Sequence, residues 1–284
     1  MKTLAHQNQD GILCKLLTLS LGLSLLLSLE ASADRAFILP SMTLNSGNAP
    51  LVTFDAASAE SVFNFDHNTL AIDTLIVTAA DGSQVLPESI ALGKLRNSFD
   101  VRASQIGTYR IGIFNDLLIA SYKVDGQTKR WRGASDAFAN AIEREIPKDA
   151  QELQVIQAQS RIETFITNSK PTRTALQLTG KGLEIEYLTH PNDLVEGEIA
   201  ELRLLIDGKP APKLKVTVIA DGARYRQNLE EEIFQSNEEG KLSIRWKKAG
   251  LFWLEARTKD KQVVNPVAQE RRLVYAVTLE VMPL

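Results

Sequence analysis

Two short stretches place guanidinium groups beside an aromatic ring: Lys129-Arg130-Trp131-Arg132 and Arg224-Tyr225-Arg226. A guanidinium fork holds carboxylate or phosphate through paired hydrogen bonds, and a neighbouring ring can stack on a flat ligand. Arg130, Trp131, Arg132, Arg224, Tyr225 and Arg226 are therefore the candidate ligand or partner site. If they form one site, Trp131 and Tyr225 must be partly exposed and close to one another. The competing reading is two exposed loops whose aliphatic stems cover nearby apolar surface.

The histidines His6, His67 and His190 include no His-x-His or His-x-x-x-His pair. Zinc or copper sites need several nitrogen or sulfur donors, so His67 and His190 are weak metal candidates. Asp66-His67 could be half of a carboxylate–imidazole pair, with Asp100 or Asp116 as a third member, against a plain strand-end loop. His190-Pro191-Asn192-Asp193 reads as turn chemistry. No Gly-x-Ser-x-Gly elbow occurs, and Gly180-Lys181-Gly182 lacks the spacing of a phosphate loop. The acidic runs Glu230-Glu231-Glu232 and Glu238-Glu239 read as solvated surface. With no catalytic motif, the expectation is a protein that is not an enzyme.

The elements that must position these residues follow from composition. The chain has 284 residues, 44% hydrophobic and 24% charged, which is the composition of a folded domain rather than a disordered one. Lys+Arg 32 against Asp+Glu 35 leaves a net charge of -3, so no global positive field invites nucleic acid.

Lys2 and Lys15 precede an uncharged, Leu-rich run from Leu16 to Leu29, and Ala31-Ser32-Ala33 supplies the small residues that a signal peptidase reads. The run would span about 21 Å as a helix, short of the roughly 30 Å hydrocarbon layer, so a cleaved signal is favoured over a lasting anchor. Residues 1–33 are thus read as a signal peptide cut before Asp34, and the periplasm as the destination. The single cysteine, Cys14, would leave with it. An exported domain without disulfides must be stable from its core alone.

Beyond Asp34 the apolar period is two. Runs at Leu51–Phe54, Leu70–Val77 and Tyr109–Phe114 are separated by turn clusters, and Ile199–Ile206, Lys213–Ala220 and Lys241–Lys247 repeat the style. Phe99-x-Val101 then Gly107-x-Tyr109-x-Ile111 matches Leu242-x-Ile244 then Gly250-x-Phe252-x-Leu254 at identical spacing, which reads as a repeated β-hairpin. The fold class expected is mainly β, with two immunoglobulin-like or transthyretin-like β-sandwich domains and a short connecting helix. The boundaries are 34–133 for the first sandwich, 134–179 for a connector of helix and strand, and 180–284 for the second sandwich. Ser135 would cap the helix, Pro147 would end it, and Thr179-Gly180-Lys181-Gly182 would be the hinge. Trp246, Trp253, Tyr109 and Phe252 are expected in the sandwich cores.

Asp34-Arg35-Ala36-Phe37-Ile38-Leu39-Pro40-Ser41, Thr189-His190-Pro191-Asn192-Asp193-Leu194, Leu205-Ile206-Asp207-Gly208-Lys209-Pro210, Ala249-Gly250-Leu251-Phe252-Trp253-Leu254 and Tyr275-Ala276-Val277-Thr278-Leu279-Glu280-Val281 together resemble the exported family called domain of unknown function 4198. The similarity covers essentially the whole chain after the leader. That family resembles the periplasmic component of nickel or cobalt uptake systems, and its members are often encoded beside TonB-dependent receptors. The resemblance implies a nickel, cobalt or iron chelate as cargo, and a TonB-dependent receptor or an inner-membrane transport component as partner. Many members begin the exported chain with His; here Asp34-Arg35-Ala36 leads, so an amino-terminal imidazole chelate cannot form. Two functions stay open: a non-catalytic periplasmic accessory or binding protein for metal or metal-chelate uptake, and a structural or adhesion-type interaction protein with no metal role.

Overall fold

The computed structural model describes residues 34–284 except Asp136. The leader, its cleavage point, His6 and Cys14 lie outside the described residues.

Strict alternation of apolar and polar residues builds strands, because successive side chains point to opposite faces. Among the described residues these assemble into three sheets of ten, five and four strands. The ten-stranded sheet runs, in spatial order, Glu232–Gln235, Lys215–Ala220, Gly250–Asp260, Glu270–Val281, Gln151–Asn168, Gly107–Val124, Leu75–Thr78 and Gln84–Val85, with Gln127–Ala134 also on Gly107–Val124 and Leu44–Asn45 also on Gln151–Asn168. It draws on both halves of the chain.

The two smaller sheets cover opposite faces of this shared sheet. Arg35–Pro40, Leu51–Ala59, Asn97–Arg102 and Glu88–Leu92 form most of the five-stranded sheet. It closes a first core with Phe37, Phe54 and Phe99 on its side and Ile111, Ile113, Ile162, Trp253 and Ala276 from the shared sheet. The four-stranded sheet centres on Ile199–Ile206, flanked by Leu183–Tyr187 and Lys241–Arg245. It closes a second core whose shared-sheet members are Phe165, Phe252, Leu254, Tyr275 and Val277. Neighbours in sequence therefore serve different cores: Phe252 and Leu254 face the second, Trp253 the first. The Trp253 indole donates to the Ala36 carbonyl at 2.9 Å, stitching the two halves of the chain together.

The internal echo is structural, but it is not a hairpin. Asn97–Arg102 pairs only with strands of the five-stranded sheet, whereas Gly107–Val124 belongs to the shared sheet. Lys241–Arg245 and Gly250–Asp260 are split likewise between the four-stranded and shared sheets. Each copy is a corner that carries the chain from a small sheet into the large one. All four apolar positions of each corner point into one core: Phe99, Val101, Tyr109 and Ile111 into the first, Leu242, Ile244, Phe252 and Leu254 into the second. Gly107 and Gly250 sit at φ 135° and 129°, a region that L side chains rarely adopt, which explains the shared glycine.

The stretch 134–179 does not act as a connector between separate domains. Gln151–Asn168 is a central strand of the shared sheet, antiparallel to Gly107–Val124 and parallel to Glu270–Val281. The helix, Phe138–Arg144, joins two strands that belong to this same sheet. Its N-cap is Ala137 rather than Ser135, whose hydroxyl instead accepts from the Asn265 amide at 2.9 Å. The run Leu70–Val77 contributes only its second half, as Leu75–Thr78.

Candidate functional site

The four-stranded sheet covers only part of its face of the shared sheet. No residue of Gly107–Val124 or Leu75–Thr78 joins the second core, and past Gly112 this face opens, with Phe114 half-buried and Asp116 exposed. Arg110, Gly112, Phe114 and Asp116 alternate along this face, facing Phe165, Glu163, Arg161 and Gln159 on the next strand. Here lies a recess of about 550 Å³, floored by both strands and walled by Thr179, Lys181, Gly182 and Leu183. Volumes of 300–1,000 Å³ are typical of small-ligand sites.

A stack forms the centre of the floor. A Cβ on Gly112 would lie 2.4 Å from Phe114 Cζ, so glycine is what lets that ring lie across its own strand. The Arg161 guanidinium sits over the same ring, 4.5 Å from its centroid. Arg161 also donates to Glu163 at 3.1 Å and to the Thr179 hydroxyl at 3.0 Å. Arg110 donates to the Gln177 carbonyl at 3.1 Å. Glu184 accepts from the backbone N–H of Thr179 and Gly180, both at 2.8 Å. Floor and wall are thus tied together by buried charge, and the segment expected to hinge is instead the side of a recess.

Beside the recess, under the four-stranded sheet, runs a buried relay. Tyr275 donates to Glu163 Oε2 at 2.6 Å, and since its proton is committed there, Tyr187 must donate to Tyr275 across 2.9 Å. Burial, with the Glu163 charge adding to it, pushes both phenols well above the ordinary tyrosine range. The nearest approach of Arg110 Nε to Glu163 is 3.9 Å, outside hydrogen-bond range, so Nε has no partner among the described residues. Lys181 is exposed and makes no ion pair among the described residues. Asp116 accepts from the amides of Gln157 and Gln159, both at 2.8 Å.

The two cationic aromatic stretches do not meet. Register runs from Ile219 through Trp253, Thr278 and Thr164 to Ile111, whereas Trp131 pairs with Ala120 of the same strand as Ile111. Nine residues of strand, about 30 Å at 3.3 Å each, and five strand spacings therefore separate them. Arg130 and Arg132 are exposed on strand Gln127–Ala134, which is not a loop. Trp131 lies half-buried against Phe138 and donates to Glu145 at 2.8 Å. Tyr225 is 84% exposed beneath Arg224, while Arg226 is spent on the carbonyls of Ala220, Asp221 and Leu229.

Nor does either histidine build a metal cage. His190 is buried: Nδ1 accepts the Asn192 N–H at 3.1 Å, so the neutral ring carries its proton on Nε2, facing the Thr172 carbonyl and Thr108 hydroxyl. Burial lowers its pKa below the ordinary 6.5, keeping it neutral. His67 lies 3.2 Å from Asp34, with both partners partly exposed. Asp100 serves Thr53 instead. Among the described residues no three His, Cys, Asp or Glu side chains converge on a metal position.

The recess residues were not singled out by spacing. Their one sequence trace is that Arg110, Arg161 and Glu163 occupy the strand positions alternating with the core residues Tyr109, Ile111 and Ile162, where solvated surface is the ordinary expectation.

These features define a mainly β protein built of three packed sheets, with a polar recess where one sheet outruns its cover. The chain belongs to the family described as a domain of unknown function (DUF4198), whose profile matches residues 31–260. No curated protein matches the chain. Among solved structures, the D0-D1 domain of intimin is 11% identical, covers 85% of this chain and 96% of its own, and has a TM-score of 0.20. Escherichia coli alpha-2-macroglobulin activated by porcine elastase is 9% identical, covering 85% of this chain and 30% of its own at a TM-score of 0.20. The tandem V-type regions of VCBP3, a chitin-binding protein, are 12% identical, covering 85% and 98% at a TM-score of 0.19. Likeness at this level says nothing of what this chain binds.

Proposed function

We propose that this is a non-catalytic periplasmic accessory or binding protein serving uptake of a metal or metal chelate. Its partners would be a TonB-dependent receptor or an inner-membrane transport component, and its leader would be removed before Asp34. The observation that carries this reading is the recess on the uncovered face of the shared sheet, of small-ligand size and held open by charge tied on both sides. The cargo would arrive chelated, because the histidines are either committed to their own fold or paired singly with a carboxylate. Calorimetry on the 34–284 chain with nickel, cobalt and ferric chelates tests it. Saturable binding of at least one chelate, with a matching rise in Tm, is expected; no response to any of them overturns the reading.

A second reading, a structural or adhesion-type interaction protein, is favoured by one observation. The strand Glu88–Leu92 is exposed throughout at the edge of the five-stranded sheet, and Leu86, Ile90 and Leu92 are 89%, 55% and 74% exposed. Open apolar edges recruit other chains. Partner capture that is indifferent to chelators, and lost on Ile90→Lys, would support this reading over the first.

A further inference from the structure

We infer that the recess recognises a small organic hydroxycarboxylate, gripping its carboxylate with Lys181 and its hydroxyl with Asp116. The inference rests on the recess being the binding site proposed above and names the chemical class of its ligand.

The lining divides into parts that ask for different things. Ile76, Phe114, Leu183 and Val274 give it apolar surface, which suits carbon rather than a bare inorganic ion. The three cations of the lining are not equivalent. Arg161 is committed to Glu163, Glu184, Thr179 and the Phe114 ring, and it holds the floor and wall in place. Arg110 is half committed, through the Gln177 carbonyl. Lys181 makes no ion pair among the described residues and stands, exposed, on the wall between Gly180 and Gly182. A ligand carboxylate is the group that a free ammonium at the rim would hold, with Arg110 as the second positive charge.

A bare anion would meet opposition from Asp116, the one carboxylate of the lining. Asp116 accepts from two amide donors, on Gln157 and Gln159, and keeps lone pairs for a further donor. Gln159 Oε1, shielded and without a partner among the described residues, lies beside it against Gly182. The recess thus offers cations and acceptors together. A ligand carrying both carboxylate and hydroxyl satisfies each, whereas a pure polyanion leaves the acceptors facing negative charge. Hydroxycarboxylates also coordinate metals through those same groups, which joins this assignment to chelate uptake.

The test uses citrate and tricarballylate, which is citrate without its hydroxyl, titrated calorimetrically into the 34–284 chain and its variants, each with and without nickel. Citrate should bind saturably. Lys181→Glu should weaken it by about tenfold or more, the scale of one lost charged hydrogen bond. Tricarballylate should bind more weakly than citrate, and Asp116→Asn should reduce that preference. Arg130→Glu, on the remote strand, should bind citrate like the parent. Absence of citrate binding, indifference to Lys181→Glu, or equal affinity for the two acids overturns the assignment. The two readings fail separately: binding of nickel or ferric chelates that ignores Lys181→Glu removes the hydroxycarboxylate assignment and leaves the uptake role. Citrate binding that obeys every variant but shows no metal dependence does the reverse.

Discussion

The two faces of the shared sheet, taken along the same pair of strands, bury opposite kinds of side chain. Toward the five-stranded sheet, Gly107–Val124 and Gln151–Asn168 present Tyr109, Ile111, Ile113, Ile162 and Ile166, all 3% exposed or less and packed on phenylalanines. Toward the other side the same strands present Arg110, Gly112, Phe114, Arg161 and Glu163. Along this stretch one face is closed mainly by apolar packing, whereas the other is braced by hydrogen-bonded charge. The reason is coverage. A face sealed by a second sheet excludes water, and an unpaired polar group there would be costly, so only apolar residues are stable. Where the cover ends, charged groups keep some solvent and one another, and the rim becomes a place where a ligand can compete for them.

Four measurements would break or sharpen that contrast. The largest effect is expected at Trp253, 1% exposed in the first core although it comes from the second half of the chain. Trp253→Ala should cost about 3–5 kcal/mol in chemical denaturation, and the 34–284 chain should still unfold in one transition. Two separated transitions would show that the halves are independent and that the shared sheet does not couple them.

Next comes the polar side. Glu163→Gln removes the charge that Arg161 and Tyr275 both address, and about 2–3 kcal/mol of destabilisation is expected from charged hydrogen bonds lost in a buried setting. A cost under 1 kcal/mol would mean that the network tolerates water and is not sealed beside the recess.

His190 gives a pH test. Its pKa is lowered by burial, so below the ordinary value of 6.5 the unfolded chain takes up a proton that the folded chain refuses. Stability should therefore be full above pH 6.5 and fall as pH drops from there toward the lowered folded value, by at most about 1.4 kcal/mol per pH unit for one proton. His190→Asn should flatten that slope in urea midpoints taken from pH 7 to pH 5; an unchanged slope would assign the acid sensitivity elsewhere.

The smallest effect belongs to the exposed cations. Arg130→Glu combined with Arg224→Glu should shift stability by under about 0.5 kcal/mol, because both side chains lie at the surface and 30 Å of strand keeps them independent. A loss of several kcal/mol would show that these stretches brace the fold rather than decorate it.

The sequence by itself determined what depends on neighbours along the chain. Alternation announced the strands, glycines at fixed spacing announced two equivalent turns though not that each is a corner between sheets, and the apolar positions around each, from Phe99 to Ile111 and from Leu242 to Leu254, were legible as core. Alternation could not say which face meets which cover. It marked Phe252 and Trp253 as core without saying that they serve two different cores, and it split into separate domains a chain whose sheet is continuous. The recess was invisible for the same reason. Arg110, Arg161 and Lys181 lie 51 and 20 residues apart in sequence, and only the pairing of Arg161 with Phe114, and of floor with wall, brings them to one opening. The cationic aromatic stretches failed in the opposite way: local chemistry suggested one site, and the register of six strands holds them apart. Local periodicity is written residue by residue, whereas strand order and the extent of a covering sheet are settled by burying the most apolar area among all strands at once, which no segment encodes alone.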